Sequence, residues 1–192
     1  MIETERPLRA DARRNRDRIL ESAREVFGEN GAEAQIDDVA RRAGVGVGTV
    51  YRHFPTKEAL MSELVRRQFR LFADRAREAY EDVGADDDAF AALDGVMRHN
   101  AETTAGDAAV RYAMTSGGHH IWDQARVEQQ ELLNTTEMFL ARARRAGKVR
   151  PDTQATDIAM LMCGVCSTMG TGRPEFDWRR HLDLAIEALR PR

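Results

Sequence analysis

The chain has 192 residues, of which 42% are apolar, 32% charged and 6% aromatic, and its formal net charge is −3. That length holds one or two domains with a sizeable core. It contains no run of about 18 apolar residues that would cross a membrane, and its N-terminal stretch, MIETERPLRADARRNRDR, has no apolar h-region and is not read as a secretory signal. Cys163 and Cys166 lie in one apolar stretch, read as reduced thiols in a cytoplasmic protein. The charge is unevenly spread. Between Arg6 and Arg24, seven arginines stand against Asp11, Asp17 and Glu21, so a basic end sits on an acidic body. The weak total charge therefore does not exclude nucleic acid as a partner.

In chain order, Ile19, Ala23, Val26 and Phe27 form one apolar stripe, with Leu20 beside it, on a helix over residues 12–30 that Asn30-Gly31 ends. Ile36, Val39, Ala40 and Ala43 mark a second, short helix with Asp37 and Asp38 in its first turn. Gly44 stops it, and a third short segment follows over 47–53 before Pro55. Thr56 caps a long helix over 57–82 with Leu60, Leu64, Leu71 and Phe72 inward. After a break at Gly84–Asp88, Phe90, Leu93, Met97 and Ala101 form the next stripe. A shorter helix starts at Gly106-Asp107 and runs through Met114, and Ser116-Gly117-Gly118 is a loop. One long helix is expected from His119 to Ala146. Asp152 or Thr153 then caps an apolar helix over 154–169, residues 170–174 are a loop, and Trp178, Leu182, Ala185, Ile186 and Leu189 make the last stripe. No stretch alternates with period two, so the expected fold is all-α with about nine helices.

Residues 43–54 read AGVGVGTVYRHF, with glycines at 44, 46 and 48. A phosphate cradle needs a strand before the glycines and a long helix after them. The preceding IDDVARRA has helical spacing instead, and no Lys-Ser or Lys-Thr follows. The pattern fits two short helices joined by a tight turn, the second of which enters a DNA major groove. Gly44 takes the left-handed turn, Val45 plugs the angle between the helices, and Gly46 is the N-cap of the second. Gly48 keeps its surface low, while Val50 and Phe54 point back into the core. An unrelated two-helix corner has the same spacing.

The stretch QIDDVARRAGVGVGTVYRHFPTKEAL resembles the DNA-binding segment of the tetracycline-repressor (TetR) family. The resemblance rests on Ile36, Val39, Ala40, Ala43, Gly44, Val45, Gly48, Thr49, Val50, Tyr51, His53, Phe54, Lys57 and Leu60, together with Ile19, Leu20, Ala23, Phe27 and Gly31 in the preceding helix. It covers roughly the first third of the chain. Two positions depart from the family pattern: Gln35 and Gly46 stand where a hydroxyl residue usually caps a helix. The resemblance implies a helix-turn-helix domain over 1–56 and a dimerisation and effector-binding domain over 57–192. It places Val47 and Gly48 at the base-reading start of the recognition helix, with Arg52 on its solvent side. Thr49, Tyr51, His53 and Lys57 fall at phosphate-holding positions, and Arg13, Arg14 and Arg18 are candidates for phosphate or minor-groove contacts. Val47 can offer only an apolar contact, such as to a thymine methyl. With so few polar base readers, DNA shape is expected to carry much of the specificity.

The resemblance further implies that the last two helices pair with their mates in a homodimer, with Leu161, Val165, Trp178, Leu182 and Ile186 at the interface. ATDIAMLMCGVCSTM is apolar on nearly every face, as a helix buried on all sides would be. An effector pocket is expected among the middle helices, lined by Met97, Met114, Trp122, Met138 and Met162, because methionine adapts to varied apolar shapes. C-x-x-C at 163–166 lacks the second pair that a zinc site needs and is read as inert buried thiols. His119-His120 points in two directions on a helix, so no metal and no cofactor is expected. No spacing of nucleophile, base and orienter stands out, and an enzyme is not expected. The reading is a repressor that binds double-stranded DNA as a homodimer and is released by a small hydrophobic effector. The alternatives are an architectural DNA binder without effector and, more weakly, an enzyme that uses the pocket.

Overall fold

The computed structural model describes residues 5–84, 88–116, 118–173 and 175–191, with side chains described for all of these except 5–10 and 118–120. The expected loop positions Gly117 and Pro174, residues 85–87 of the expected break, and the side chains of Arg6, Arg9, His119 and His120 lie outside it. Among the described residues there are ten α-helices and no strand: α1 (Glu5–Asn30), α2 (Ile36–Ala43), α3 (Val47–His53), α4 (Lys57–Asp82), α5 (Ala89–Gly106), α6 (Ala108–Ser116), α7 (Gly118–Gln124), α8 (Arg126–Arg145), α9 (Ala155–Met169) and α10 (Trp178–Glu187). No described helix is long and apolar enough to cross a membrane.

Side chains of short reach start most of these helices. Thr56 Oγ1 accepts from Ala59 N at 3.1 Å, Asp88 Oδ1 from Phe90 N and Ala91 N, and Asp177 Oδ1 from Arg179 N, each satisfying a donor the helix leaves open. Gln35 is a weak cap, and Asp38 makes up for it directly: its Oδ2 accepts the Gln35 N–H at 3.3 Å. The same device recurs at α9. Asp157 Oδ2 accepts from Gln154 N at 2.8 Å, so the cap is Gln154 and not Asp152 or Thr153. Thr153 is instead buried, its carbonyl taken by Arg144.

The expected long helix from His119 to Ala146 is two helices. Ala125 leaves helical geometry at φ −100°, ψ 12°, and its N–H bonds to the Trp122 carbonyl three residues back. Gln129 Nε2 donates to that same carbonyl at 3.1 Å, which steadies the break. Ile121 and Ala125 at the break are both fully buried, and α7 and α8 each pack on α4.

Two cores result. The first holds Ile19, Phe27, Val39, Val50, Leu60 and Leu64 from α1–α4, and also recruits Ala109 and Ala113 of α6, Ile121 of α7 and Ala125. The second joins Phe90, Leu93, Phe139, Leu140, Val165 and Leu182 from α5, α8, α9 and α10. Each such side chain contributes roughly 1.5–3 kcal/mol by leaving water. The expected boundary at 56/57 falls at the head of α4, whose first turns belong to the N-terminal core. Further along, α4 supplies Ala76 to the second core. Its buried positions are the continuous run 60–65 and then one face with Gln68, Phe72, Ala73 and Ala76, so the helix is enclosed on all sides in the N-terminal core and buried on one side beyond it. Leu71, expected inward, lies off that later face and is 61% exposed.

Where α1, α4 and α8 meet, charges are stacked. Glu63, 8% exposed, accepts from Arg16 at 3.2 Å and from Arg66 at 2.7 Å. Arg66 also lies 3.6 Å from buried Glu128, which accepts from Arg70 at 2.9 Å. Burial pushes the Glu63 carboxyl up, but the hydrogen bonds from Arg16 and Arg66 outweigh it, and the carboxyl ends below the ordinary value of 4.5. A carboxyl depressed on folding adds stability that is present above its unfolded value and lost as pH falls through the folded one. Glu63→Gln is therefore expected to cost about 1–3 kcal/mol at neutral pH. It should also flatten the loss of stability below about pH 4.5. Urea denaturation followed from neutral to acid pH checks both, and a variant profile parallel to that of the wild type would remove Glu63 as a contributor.

Candidate nucleic-acid interface and effector cavity

The turn between α2 and α3 is closed by Gly44 at φ 62°, ψ 37°, a left-handed conformation that costs other residues a Cβ clash. Its N–H reaches the Ala40 and Arg41 carbonyls, and the Val45 N–H reaches the Ala40 carbonyl at 3.1 Å. Val45 packs against the first core. Gly46 is extended at the N-cap of α3, where its carbonyl takes Thr49 N at 2.8 Å. Val50 and Phe54 are buried. The outward face of α3 carries Val47, Gly48, Tyr51 and Arg52, with Thr49 and His53 half-buried at its sides. A Cβ built on Gly48 meets nothing within 4 Å, so internal packing does not demand glycine there.

Lys57 is placed differently from a free phosphate ligand. Its Nζ donates to the Ala32 carbonyl at 2.9 Å and the Ala34 carbonyl at 2.8 Å. It also lies 5.6 Å from the Phe27 ring centroid and 5.9 Å from that of Tyr112, within cation–π range. Two of its three donors thus hold the turn between α1 and α2. The basic N-terminal segment lies in helix α1, and most of its described cations are engaged. Arg14 pairs with Asp11, Arg18 with Asn15, and Arg24 with Asp107 at 2.5 Å. Arg16 reaches Glu63 and lies 5.1 Å from the Phe54 ring centroid. Arg13 is exposed.

A cavity of about 380 Å³ opens among α4–α9. Met97, Met114, Trp122 and Met162 line it; Met138 does not, being 46% exposed. The cavity face of α8 is Gln129, Leu132, Leu133 and Thr136, a stripe spaced three, four and seven. Met138 lies two residues past Thr136, about 200° around the helix. The adaptability of methionine says nothing about this phase. Phe69, Phe72, Asn100 and the two cysteines also line the cavity and were not anticipated. Phase again identifies them: α9 faces the cavity with Ala155, Ile158, Ala159, Met162, Cys163 and Cys166, so the C-x-x-C spacing is simply the pitch of one helix face. The cysteines are accordingly not core residues, Cys163 being exposed and Cys166 half-buried. Desolvation pushes both thiols up, Cys166 to about 11, so both stay protonated at neutral pH. Among the described residues no group of three or more His, Cys, Asp or Glu side chains is placed to hold a metal.

The cavity adjoins the first core. Phe69 packs edge-on against Phe72 and Trp122, each with ring centroids 5.8 Å apart, and both Phe69 and Met114 also pack on the N-terminal core. At the head of α6, Asp107 Oδ1 accepts from Val110 N while Oδ2 takes Arg24 of α1.

The expected interface residues divide. Val165, Leu182 and Ile186 are at most 3% exposed and belong to the protomer's own core, because α10 packs on that side of α9. Leu161 and Trp178 are half-buried. The apolar residues that α9 and α10 leave outward are Met160, 64% exposed, and Leu184, 58% exposed.

Residues 19–64 match the tetR family of bacterial regulatory proteins, and residues 88–191 match the C-terminal domain of SbtR-like transcriptional regulators. A TetR transcription regulatory protein from Mycobacterium vanbaalenii is 35% identical over 96% of this chain and 100% of its own, with a TM-score of 0.62. A TetR transcriptional regulator from Streptomyces coelicolor is 30% identical over 92% and 98%, with a TM-score of 0.61. The match to a curated HTH-type transcriptional regulator of Staphylococcus aureus, 36% identical over 76 residues, spans only 39% of this chain and 41% of that protein. With the left-handed turn at Gly44, the outward face of α3 and matches over both the N-terminal and C-terminal parts, the chain belongs to the TetR family of DNA-binding transcriptional regulators.

Proposed function

We propose that the protein is a homodimeric repressor that leaves its operator when an apolar small molecule enters the cavity. The observation that carries this reading is the double contact of Phe69 and Met114, which line the cavity and pack on the N-terminal core that also holds Val50 of α3. A ligand that prefers a state in which these side chains have moved shifts the population toward it. Release follows if that state no longer sets two recognition helices about 34–36 Å apart. Linkage requires operator DNA to weaken ligand binding by the same factor. The alternative of an architectural binder without effector leaves the cavity without a use.

On DNA, α3 enters the major groove with Val47 against a thymine methyl and the bare surface of Gly48 allowing close approach. Thr49, Tyr51 and His53 hold phosphates, Arg52 reaches a base edge or a phosphate, and Arg13 and Arg14 add backbone contacts from α1. Lys57 acts first by holding the turn that positions α2. The dimer forms through α9 and α10 on the faces that carry Met160, Leu184 and the exposed edges of Leu161 and Trp178.

DNA selected from a random pool by the purified protein supplies the operator for the first test. Tyr51→Phe is expected to weaken binding about five- to tenfold across sequences, and Val47→Ala to relax preference at one base step only. Lys57→Met should lower stability by about 1–3 kcal/mol and leave the salt slope of binding unchanged. A slope lowered by about one would return Lys57 to the phosphate contacts.

Sedimentation of the wild type at micromolar concentration should show a dimer, and Leu184→Glu together with Met160→Glu should show a folded monomer. A wild-type monomer would end the dimer reading. Met162→Trp, which fills the cavity, is expected to abolish release by a verified effector while operator affinity stays within about threefold of wild type. Normal release from that variant would move the effector site elsewhere.

A further inference from the structure

One face of α9 brings two thiols to the cavity. Cys163 and Cys166 stand three apart on that helix, one above the other on the same side, and both line the cavity. Both are free, and the chain holds no other cysteine. They are close enough for Cys163 to help push the Cys166 thiol up, desolvation being the larger cause. Cys163 is exposed and Cys166 half-buried, so a small molecule in solvent reaches the pair. The lining they share includes the rings of Phe69, Phe72 and Trp122, and no described residue in it bears a charge.

The helix decides what such a pair can hold. A disulfide needs Cβ atoms about 3.5–4.5 Å apart, whereas residues three apart on a helix hold theirs at about 5–6 Å. A direct S–S bond would therefore bend α9. A single atom set between the two sulfurs lengthens the bridge and spans the gap with the helix intact. Desolvation keeps both thiols protonated at neutral pH, which makes them poor nucleophiles toward carbon electrophiles. A divalent cation entering a cavity without counter-charge would lose its water at high cost. Trivalent arsenic meets neither obstacle. It bonds to two sulfurs, stays uncharged, and keeps a third bond for an apolar group that suits the aromatic wall. An arsenoxide, R–As=O, reacts with the two S–H groups by forming two As–S bonds and breaking the As=O bond. Both thiol protons leave with the oxygen as one water, and nothing is oxidised or reduced.

We propose that Cys163 and Cys166 form a dithiol site that captures a trivalent organoarsenical, the two sulfurs bridging its arsenic while the cavity takes its apolar group. This goes beyond the effector reading and stands without it, because capture is measured on the full chain without DNA. The protein is treated with phenylarsine oxide and the intact chain is weighed. One phenylarsenic group per chain is expected in place of two hydrogens, without the arsenoxide oxygen, and the helical circular dichroism should not change. An adduct on one thiol keeps that oxygen and is one water heavier. Finding it on the wild type would overturn the bridge, as would an adduct that links two chains or one that costs helical signal. Mercaptoethanol then strips the adduct. Cys163→Ala and Cys166→Ala are each expected to lose it at an about hundredfold lower concentration than the wild type, and equal resistance would overturn the pair. Arsenous acid has no phenyl group. The folded chain should hold phenylarsine oxide over arsenous acid by at least about ten times the preference that the urea-unfolded chain shows. Equal preferences would overturn the seat of the apolar group in the cavity. The mass of the wild-type adduct decides the bridge even if the alanine variants do not fold. No adduct at all would end the proposal and leave the effector reading, tested by Met162→Trp and operator release, untouched.

Discussion

The rest of the structure depends on one helix serving two cores. α4 begins inside the N-terminal core with Leu60, Met61, Leu64 and Val65 and ends against the second core with Ala76. It is enclosed on all sides over 60–65, and polar residues come to lie inside there and one turn on. Ser62 Oγ and Gln68 Nε2 are buried there without a hydrogen-bond partner, and Glu63 is held by Arg16 and Arg66. A junction that buries unmatched polar atoms is less stable than an apolar one of the same shape. It also joins the two cores without fusing them into one apolar mass, and such sparsely satisfied regions are where a protein has more than one packing of similar energy.

The cavity lies against this junction. Its aromatic wall of Phe69, Phe72 and Trp122 spans α4 and α7, and Met114 on α6 touches both the cavity and the N-terminal core. At the other end of α6, Asp107 ties the helix start to Arg24 on α1. A displacement of α6 therefore reaches α1 through a charge-assisted hydrogen bond and reaches α4 through side-chain packing. Close-packed interiors transmit such displacements because they have few voids to absorb them. Lys57 closes the path from the other side: its ammonium holds the Ala32 and Ala34 carbonyls and contacts Tyr112 of α6.

The N-terminal part was legible in the sequence. α2, α3 and the turn between them are specified by neighbours in the chain: an apolar stripe at helical spacing, acids in the first turn, a glycine where the backbone is left-handed, and a threonine before the next helix. The face of α3 that carries Val47, Gly48, Tyr51 and Arg52 follows from the same spacing, because a seven-residue helix held by Val50 and by its buried C-cap, Phe54, leaves only one side outward. The all-helical class was equally readable, as was the existence of each helix apart from the break at Ala125.

What the tertiary structure alone decided is how helix faces distant in sequence are phased against one another. Periodicity states that a helix has an apolar face; it does not say whether that face meets a core, a cavity or another chain. Met162 and Met138 are alike as residues, yet one lines the cavity and the other is exposed. Val165 and Ile186 were read as interface and are the protomer's own core. Lys57 was read as facing a phosphate and holds two carbonyls from residues more than twenty positions earlier. The sequence by itself determined the helices, the break at Ala125 apart, and the glycine turn between α2 and α3, because those are set by backbone hydrogen bonds and caps within a few residues. The cavity and the division between core and outward surface exist only where several helices meet, because an empty volume is a property of their mutual packing and of no single segment.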